Sequence, residues 1–296
     1  MKTKHYLLLA LGLWCLGSPN ARADRREFLQ EKGWRFTRTD YDDSRWQRVT
    51  VPHDWAIYGP FNPNNDRQNV AIVQDGQIEP SKHAGRTGGL PFVGAGWYRT
   101  RFDVPEFGAK QDKRVTLQFD GAMSGAQVWV NGKKAGEWPY GYNSFYFDVT
   151  PYLNADGMNN TVAVRLENLP ESSRWYPGAG LYRNVHVVVT DEAHIPVWGT
   201  YVTTPEVNDR FAKVNLKTEV VLPEGFEPNR YRLATEILDS AGRVVTGATS
   251  KLSEYDGGVF VQNFVIDNPA LWDLENPVLY TAVSKLYEGN DLKDEY

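Results

Sequence analysis

The stretch from Glu171 to Arg183 gathers the residue types best suited to meeting a ligand. Trp175 and Tyr176 offer flat rings that can cover the apolar face of a pyranose. Arg174, and Asn168 just upstream, can donate hydrogen bonds to sugar hydroxyls. Pro177, Gly178 and Gly180 impose a tight backbone path, through proline's fixed φ and glycine's access to positive φ. Carbohydrate recognition uses these types, but so does an inter-sheet loop packed on a neighbouring domain. Trp138, Tyr140, Tyr142 and Asn143 leave the same two readings open, a sugar platform or a packed edge.

Bond-breaking chemistry has little support. Glu167, Glu171, Asp294 and Glu295 are expected to be solvated acids rather than an acid/base pair. His53 and Asp54 are adjacent and could suggest acid/base chemistry, but catalysis by the pair is not expected. His53, His83, His186 and His194 lack ligand spacing, so no transition-metal site is assigned. Oxygen ligands for calcium or sodium, from Asp and Asn in a long loop, stay open. Gly94-Ala95-Gly96 precedes an aromatic strand rather than a helix and is no phosphate cradle. No serine or cysteine nucleophile motif stands out. No catalytic residue, cofactor or metal ligand is therefore assigned.

The elements that must position these residues read as strands. Trp97–Phe102, Val115–Phe119, Gln127–Val130, Phe145–Phe147, Thr161–Leu166 and Val185–Val189 alternate with period two, the mark of a half-buried strand. Asn131-Gly132 supplies positive φ at both centres of a type I′ turn and predicts a tight hairpin. Residues 24 to about 65 are rich in aromatics and turn formers, and 62 to 96 read as a long surface excursion ending in a glycine cluster. Asp191 to Pro196 reads as a linker. Thr200–Thr203, Val214–Val221, Tyr231–Leu238, Val259–Ile266 and Leu279–Leu286 form a second strand set. Its last strand, from Leu292, looks cut short at Tyr296, which would leave an open edge. The expectation is all-β: a sandwich over 24–192, then an immunoglobulin-like sandwich over 193–296.

Residues 1–23 read as an export signal, with Lys2 and Lys4 ahead of the apolar Leu7–Leu13 and an Ala21-Arg22-Ala23 cleavage site. An exported chain, periplasmic or extracellular, is expected, with no membrane span because the apolar run is too short. Cleavage removes three basic residues and no acid, leaving 29 basic against 37 acidic residues. So acidic a chain, with no basic stripe evident in its sequence, is a poor nucleic-acid binder. Cys15 is the sole cysteine and lies inside the signal, so neither disulfide nor Cys–zinc site is available to the mature chain.

Several segments resemble glycoside hydrolase family 2, especially its exported bacterial β-galactosidase-like members. They are Val51-Pro52-His53-Asp54-Trp55, Gly96-Trp97-Tyr98-Arg99, Val128-Trp129-Val130-Asn131-Gly132 and Asp148-Val149-Thr150-Pro151-Tyr152-Leu153. The run Arg174 to Arg183 follows, then Pro269-Ala270-Leu271-Trp272 with Pro277-Val278-Leu279-Tyr280. The resemblance covers nearly all of 28–296 in the family's order. It implies a jelly-roll-like, galactose-binding-like domain, then an immunoglobulin-like domain, then a catalytic barrel bearing two glutamates. Retaining hydrolysis needs two carboxyls about 5–5.5 Å apart, and the resemblance places both on a barrel absent before Tyr296.

The resemblance therefore implies the front portion of a retaining β-galactosidase, with a free-standing carbohydrate-binding module or a β-glucuronidase portion as alternatives. Its partners would be a carbohydrate substrate and the C-terminal barrel, and family members often self-associate, though nothing in these strands fixes an interface. The family's loop corresponding to Glu171–Arg183 leans over the barrel mouth and shapes the sugar subsite. One departure is Arg174, which stands near where some β-galactosidases carry an acid.

Overall fold

The computed structural model describes residues 23, 25–38, 46–58, 94–109, 112–169, 175–252 and 259–296. All but the last residue of the export signal expected over 1–23, and most of the 62–96 excursion, lie outside these residues, as does Arg174.

Among the described residues the first sandwich takes ten strands: β1 (Arg26–Leu29), β2 (Trp34–Thr37), β3 (Gln47–Val49), β4 (Gly94–Phe102), β5 (Lys113–Phe119), β6 (Ala126–Val130), β7 (Lys133–Trp138), β8 (Phe145–Asp148), β9 (Asn160–Asn168) and β10 (Val185–Asp191). A short helix α1 (Pro105–Ala109) follows β4. The strands form one sheet in the order β1-β10-β5-β8 and another in the order β3-β2-β4-β9-β6-β7. Alternation explains the layers. In β9, Val162, Val164 and Leu166 point inward, and in β5 Val115, Leu117 and Phe119 face them across the sandwich. Trp34, Tyr98 and Phe119 are the largest fully buried rings of this core.

Two local expectations meet the structure differently. The Asn131-Gly132 turn has φ of 49° and 79°, as a type I′ turn requires. The Asn131 amide also spans the sheet, donating to the Tyr152 carbonyl and to Asn160 Oδ1 at 2.9 Å each. By contrast, β4 begins three residues before its expected start, because Gly94 to Gly96 already pair with Asn168 to Leu166. A Cβ on Gly96 would lie 2.7 Å from the Trp55 ring, so that glycine serves ring packing within a strand.

The second sandwich adds β11 (Thr200–Val207), β12 (Phe211–Glu219), β13 (Tyr231–Leu238), β14 (Val244–Lys251), β15 (Val259–Asp267), β16 (Thr281–Glu288) and β17 (Asp291–Glu295). Its sheets run β11-β12-β15 and β14-β13-β16-β17. β14 escaped the sequence reading, since its residues are half-buried or exposed and it lies at a sheet edge. β17 is paired: it lies against β16, and Tyr296 exchanges both backbone hydrogen bonds with Ser284 at 2.9 Å.

The segment read as a linker is instead a pinned crossing. Asp191 closes β10 with its carboxylate on buried Lys113, and Arg114 pairs with Glu192. Ala193 and Ile195 enter the core of the second sandwich, and His194 bridges to Val221. Asp294, expected to be solvated, is 0% exposed. Its two oxygens accept from Arg25 Nε and Nη2 at 2.7 and 2.8 Å, and Oδ2 also accepts the Ile195 N–H at 2.7 Å. The Arg25 Nη2 donates further to the Ile195 carbonyl, and its guanidinium lies over the Tyr296 ring. The acid is buried because every lone pair it brings is answered, the condition under which a buried pair survives desolvation.

Removing one partner strands a buried charge, so Asp294→Ala should lower stability by about 3–5 kcal/mol. Arg25→Ala should cost at least as much, because it strands the fully buried Asp294 carboxylate, whereas the guanidinium left by the first variant is 13% exposed. Urea unfolding of both variants checks the order; equal and negligible losses would show that the crossing does not depend on this pair.

Candidate functional site

The aromatic loop between β9 and β10 is built on a polar frame. Gly180 and Met123 exchange two backbone hydrogen bonds at 2.9 Å, and the His53 N–H donates to the Leu181 carbonyl at 2.7 Å. Gly180 has φ of 100°, and a Cβ there would lie 2.2 Å from the Tyr98 hydroxyl. Only glycine satisfies both conditions. Ala179 and Leu181 then plug into the core on either side.

Tyr176 reaches back across the sandwich. Its hydroxyl donates to the Asp54 carboxylate, with 2.5 and 2.6 Å to the two oxygens, while Asp54 Oδ1 also accepts the Ala56 N–H at 2.9 Å. His53 is equally committed. Its Nδ1 lies 2.8 Å from the Tyr98 hydroxyl, with the ring between Phe36 and Tyr58. Both side chains of the adjacent pair thus hold structure in place. Burial lowers the His53 pKa below the ordinary histidine value, against a smaller opposing pull from Asp54. Burial also raises the Tyr98 phenol well above its usual range.

Trp175 is the exposed member, with 58% of its surface open. Its Nε1 donates to the Tyr142 hydroxyl at 2.8 Å, and Tyr140 leans on Tyr142 at 5.5 Å between ring centres. Tyr182 ties the floor by donating to the Gly141 carbonyl at 2.9 Å. Four rings from two distant loops therefore share one edge of the sandwich. Trp138 does not join them, because it stacks on Phe145 at 5.8 Å inside the packing. An open groove of about 550 Å³ runs nearby, walled by His53, Asp54, Tyr58 and Tyr182 among others.

Of the residues predicted to touch ligand, the structure sets Trp175 at the surface and Tyr176 half-buried against Asp54. Asn168 ends β9 opposite Gly94 and is only 1% exposed, so its amide is withdrawn from solvent. The strand alternation had hinted at this, since 168 has the inward parity of 164 and 166. The Tyr176–Asp54 bond had no sequence signal, as 122 positions separate its ends. Among the described residues, no three His, Cys, Asp or Glu side chains gather as a metal ion would need. Likewise, no helix among them is long and apolar enough to cross a membrane.

Comparison with known proteins matches two profiles to the chain. One, glycosyl hydrolases family 2, sugar binding domain, covers residues 32–191, and the other, glycosyl hydrolases family 2, covers 193–296. The β-galactosidase BoGH2A of Bacteroides ovatus is 36% identical over 288 residues, which is 95% of this chain and 31% of that protein. A β-glucuronidase of Formosa agariphila is 28% identical over 305 residues, covering 93% of this chain and 29% of its own length. A solved glycosyl hydrolase family 2 member from Bacteroides cellulosilyticus superposes with a TM-score of 0.77 at 29% identity, over 92% of this chain and 34% of that one. The chain thus spans about a third of the length of these relatives.

Two outcomes follow from the frame. Tyr176→Phe deletes the bond to Asp54 and should cost about 2 kcal/mol, with faster proteolysis near residue 175; unchanged urea and protease profiles would mean the loop is held by its backbone ladder alone. The second concerns pH. His53 and His194 both have folded pKa values lowered chiefly by burial. The unfolded chain therefore binds their protons more readily, so stability is full above pH 6.5 and falls as pH drops through the lowered folded values. Urea midpoints measured downward from pH 7 should decline, with a shallower slope in His53→Gln; an identical slope would assign the response elsewhere.

Proposed function

The chain belongs to glycosyl hydrolase family 2, and from that membership we propose that it is the N-terminal portion of a retaining glycosidase acting on terminal β-linked galactosides. The catalytic glutamates lie on a barrel beyond this chain, and the two sandwiches orient that barrel and wall its sugar subsite. The observation that carries this reading is Trp175, half-open at the sandwich edge and fixed by the Tyr142 hydroxyl rather than by core packing. A ring held in that way keeps its face for stacking and loses little freedom on binding. Tyr176 is a positioning residue that ties the loop to Asp54, and Arg174, next in sequence to Trp175, supplies a donor to sugar hydroxyls. Galactosides are favoured over glucuronides by the closer identity to BoGH2A, named a β-galactosidase. A β-glucuronidase is the second reading, supported by the Formosa agariphila relative. Export, from the leader read on residues 1–23, belongs to the same proposal.

The test compares the longer gene product with this chain on p-nitrophenyl β-galactoside and β-glucuronide. The longer protein should hydrolyse the galactoside and this chain neither. Trp175→Ala should raise KM about ten-fold with kcat nearly constant, the mark of lost uniform binding. Turnover by this chain, removed by a substitution within it, would overturn the assignment of catalysis to the barrel. Preference for the glucuronide would replace the substrate, and saturable galactoside binding by this chain without a barrel would favour a binding module.

A further inference from the structure

Between β15 and β16 the chain runs as a strap, residues 268–280, with no regular structure. Its large apolar side chains Leu271, Trp272, Leu274 and Leu279 are all exposed, Leu274 by 88% and Leu279 by 69%. One exposed leucine is ordinary, but such a group along one short loop marks a contact surface. The strap is not loose. The Asn268 N–H donates to the Arg210 carbonyl at 2.7 Å, and the Ala270 N–H to the Tyr280 hydroxyl at 2.8 Å. Asp273 Oδ1 accepts the N–H groups of Glu275 and Asn276 at 2.8 and 2.6 Å. Tyr280 in turn packs against the cluster of Ile237, Phe264 and Ile266. A fixed backbone therefore keeps the apolar side chains in water rather than letting them fold inward.

A second feature lies beside the strap, on the open flank of β16. β17 runs antiparallel along β16, from Asp291 opposite Glu288 to Glu295 opposite Lys285. Tyr296 then exchanges both backbone hydrogen bonds with Ser284, so the backbone groups of Ser284 point to the β17 side. Two residues away, Ala282 turns its N–H and carbonyl to that same side. Its register partner Ile237 stands on the other flank, and among the described residues nothing pairs with those two groups. A strand continued past Tyr296 at about 3.4 Å per residue would answer Ala282 within two residues. It would next pass Thr281 and leave the sheet beside Leu279 and the strap.

We propose that the strap is the dock for the segment that follows β17 in the longer gene product. That segment completes the β16 ladder at Ala282 and then lays apolar side chains over Leu271, Trp272, Leu274 and Leu279. The proposal rests on the reading of this chain as the front portion of a longer protein, like the relatives of which it spans about a third. The direction of β17 selects the occupant, because it delivers that segment to the strap without crossing the sandwich. A second copy fits less well. Two straps meeting face to face bring Asp273 and Glu275 of one copy toward those of the other, and like charges repel. The dock lies at the end of the second sandwich away from Ile195, so it tethers the end that the crossing leaves free.

Hydroxyl-radical footprinting and amide hydrogen exchange of this chain and of the longer product test the dock. In the longer product Trp272 and Leu274 should be modified about five-fold more slowly, and the Ala282 N–H should exchange about a hundred-fold more slowly. Leu274→Lys alters a side chain already in water, so it should leave the urea midpoint of this chain unchanged. In the longer product the same change should speed modification of Trp272 about three-fold, because a buried charge opens the contact. Equal modification of Trp272 in both proteins, or an Ala282 N–H that exchanges as fast in the longer product, would overturn the proposal. Modification that slows as this chain alone is concentrated would put a second copy in the dock instead. Neither readout uses turnover, so a longer product inactive on both glycosides would remove the proposed activity and leave the dock standing.

Discussion

A single buried ion pair ties the two ends of the described chain together, and the relation between the sandwiches rests on it. Arg25 precedes the first strand and Asp294 sits in the last, 269 positions away. Carrying both charges out of water costs several kcal/mol each, and attraction alone does not reliably offset that. What makes the burial tolerable is that the pair is bidentate and that both backbone groups of Ile195 join it. Ile195 belongs to the crossing between sandwiches. One network therefore holds the entry to the first sandwich, the crossing, and the closing strand of the second.

Around that network the junction is directional rather than merely apolar. Lys113–Asp191 and Arg114–Glu192 clamp the last strand of the first sandwich, and Tyr146 meets Trp198 edge-on at 5.4 Å. Trp198 itself adopts φ of 57°, and its N–H donates to the Tyr296 hydroxyl. Apolar contacts alone would let one sandwich roll on the other, whereas hydrogen bonds fix angles as well as distances. For the proposed role this matters, because a loop on one domain can wall a subsite on another only if the path between them is stiff.

The same logic recurs at smaller scale in the aromatic loop. Asp54, His53 and Tyr98 lie in the first sandwich's packing, yet their polar atoms hold Tyr176 and the backbone around Gly180. Rings that would otherwise collapse inward are kept at the rim.

Much of this protein is written in local pattern. Alternation placed the central strands, Asn131-Gly132 placed the tight hairpin, and ordered motifs pointed to the family, because each depends on neighbours within a few residues. Edge strand β14 and the early strands β1 to β3 lacked that signal, being short, exposed or interrupted by turn formers. The solvated reading of Asp294 and the open reading of Asn168 came from residue type, which does not report what lies opposite. Partnerships such as Arg25–Asp294 and Tyr176–Asp54 join positions more than a hundred residues apart. Desolvation and hydrogen-bond geometry act on distances in space, so those bonds, and the fate of each charge within them, existed only once the strands had assembled.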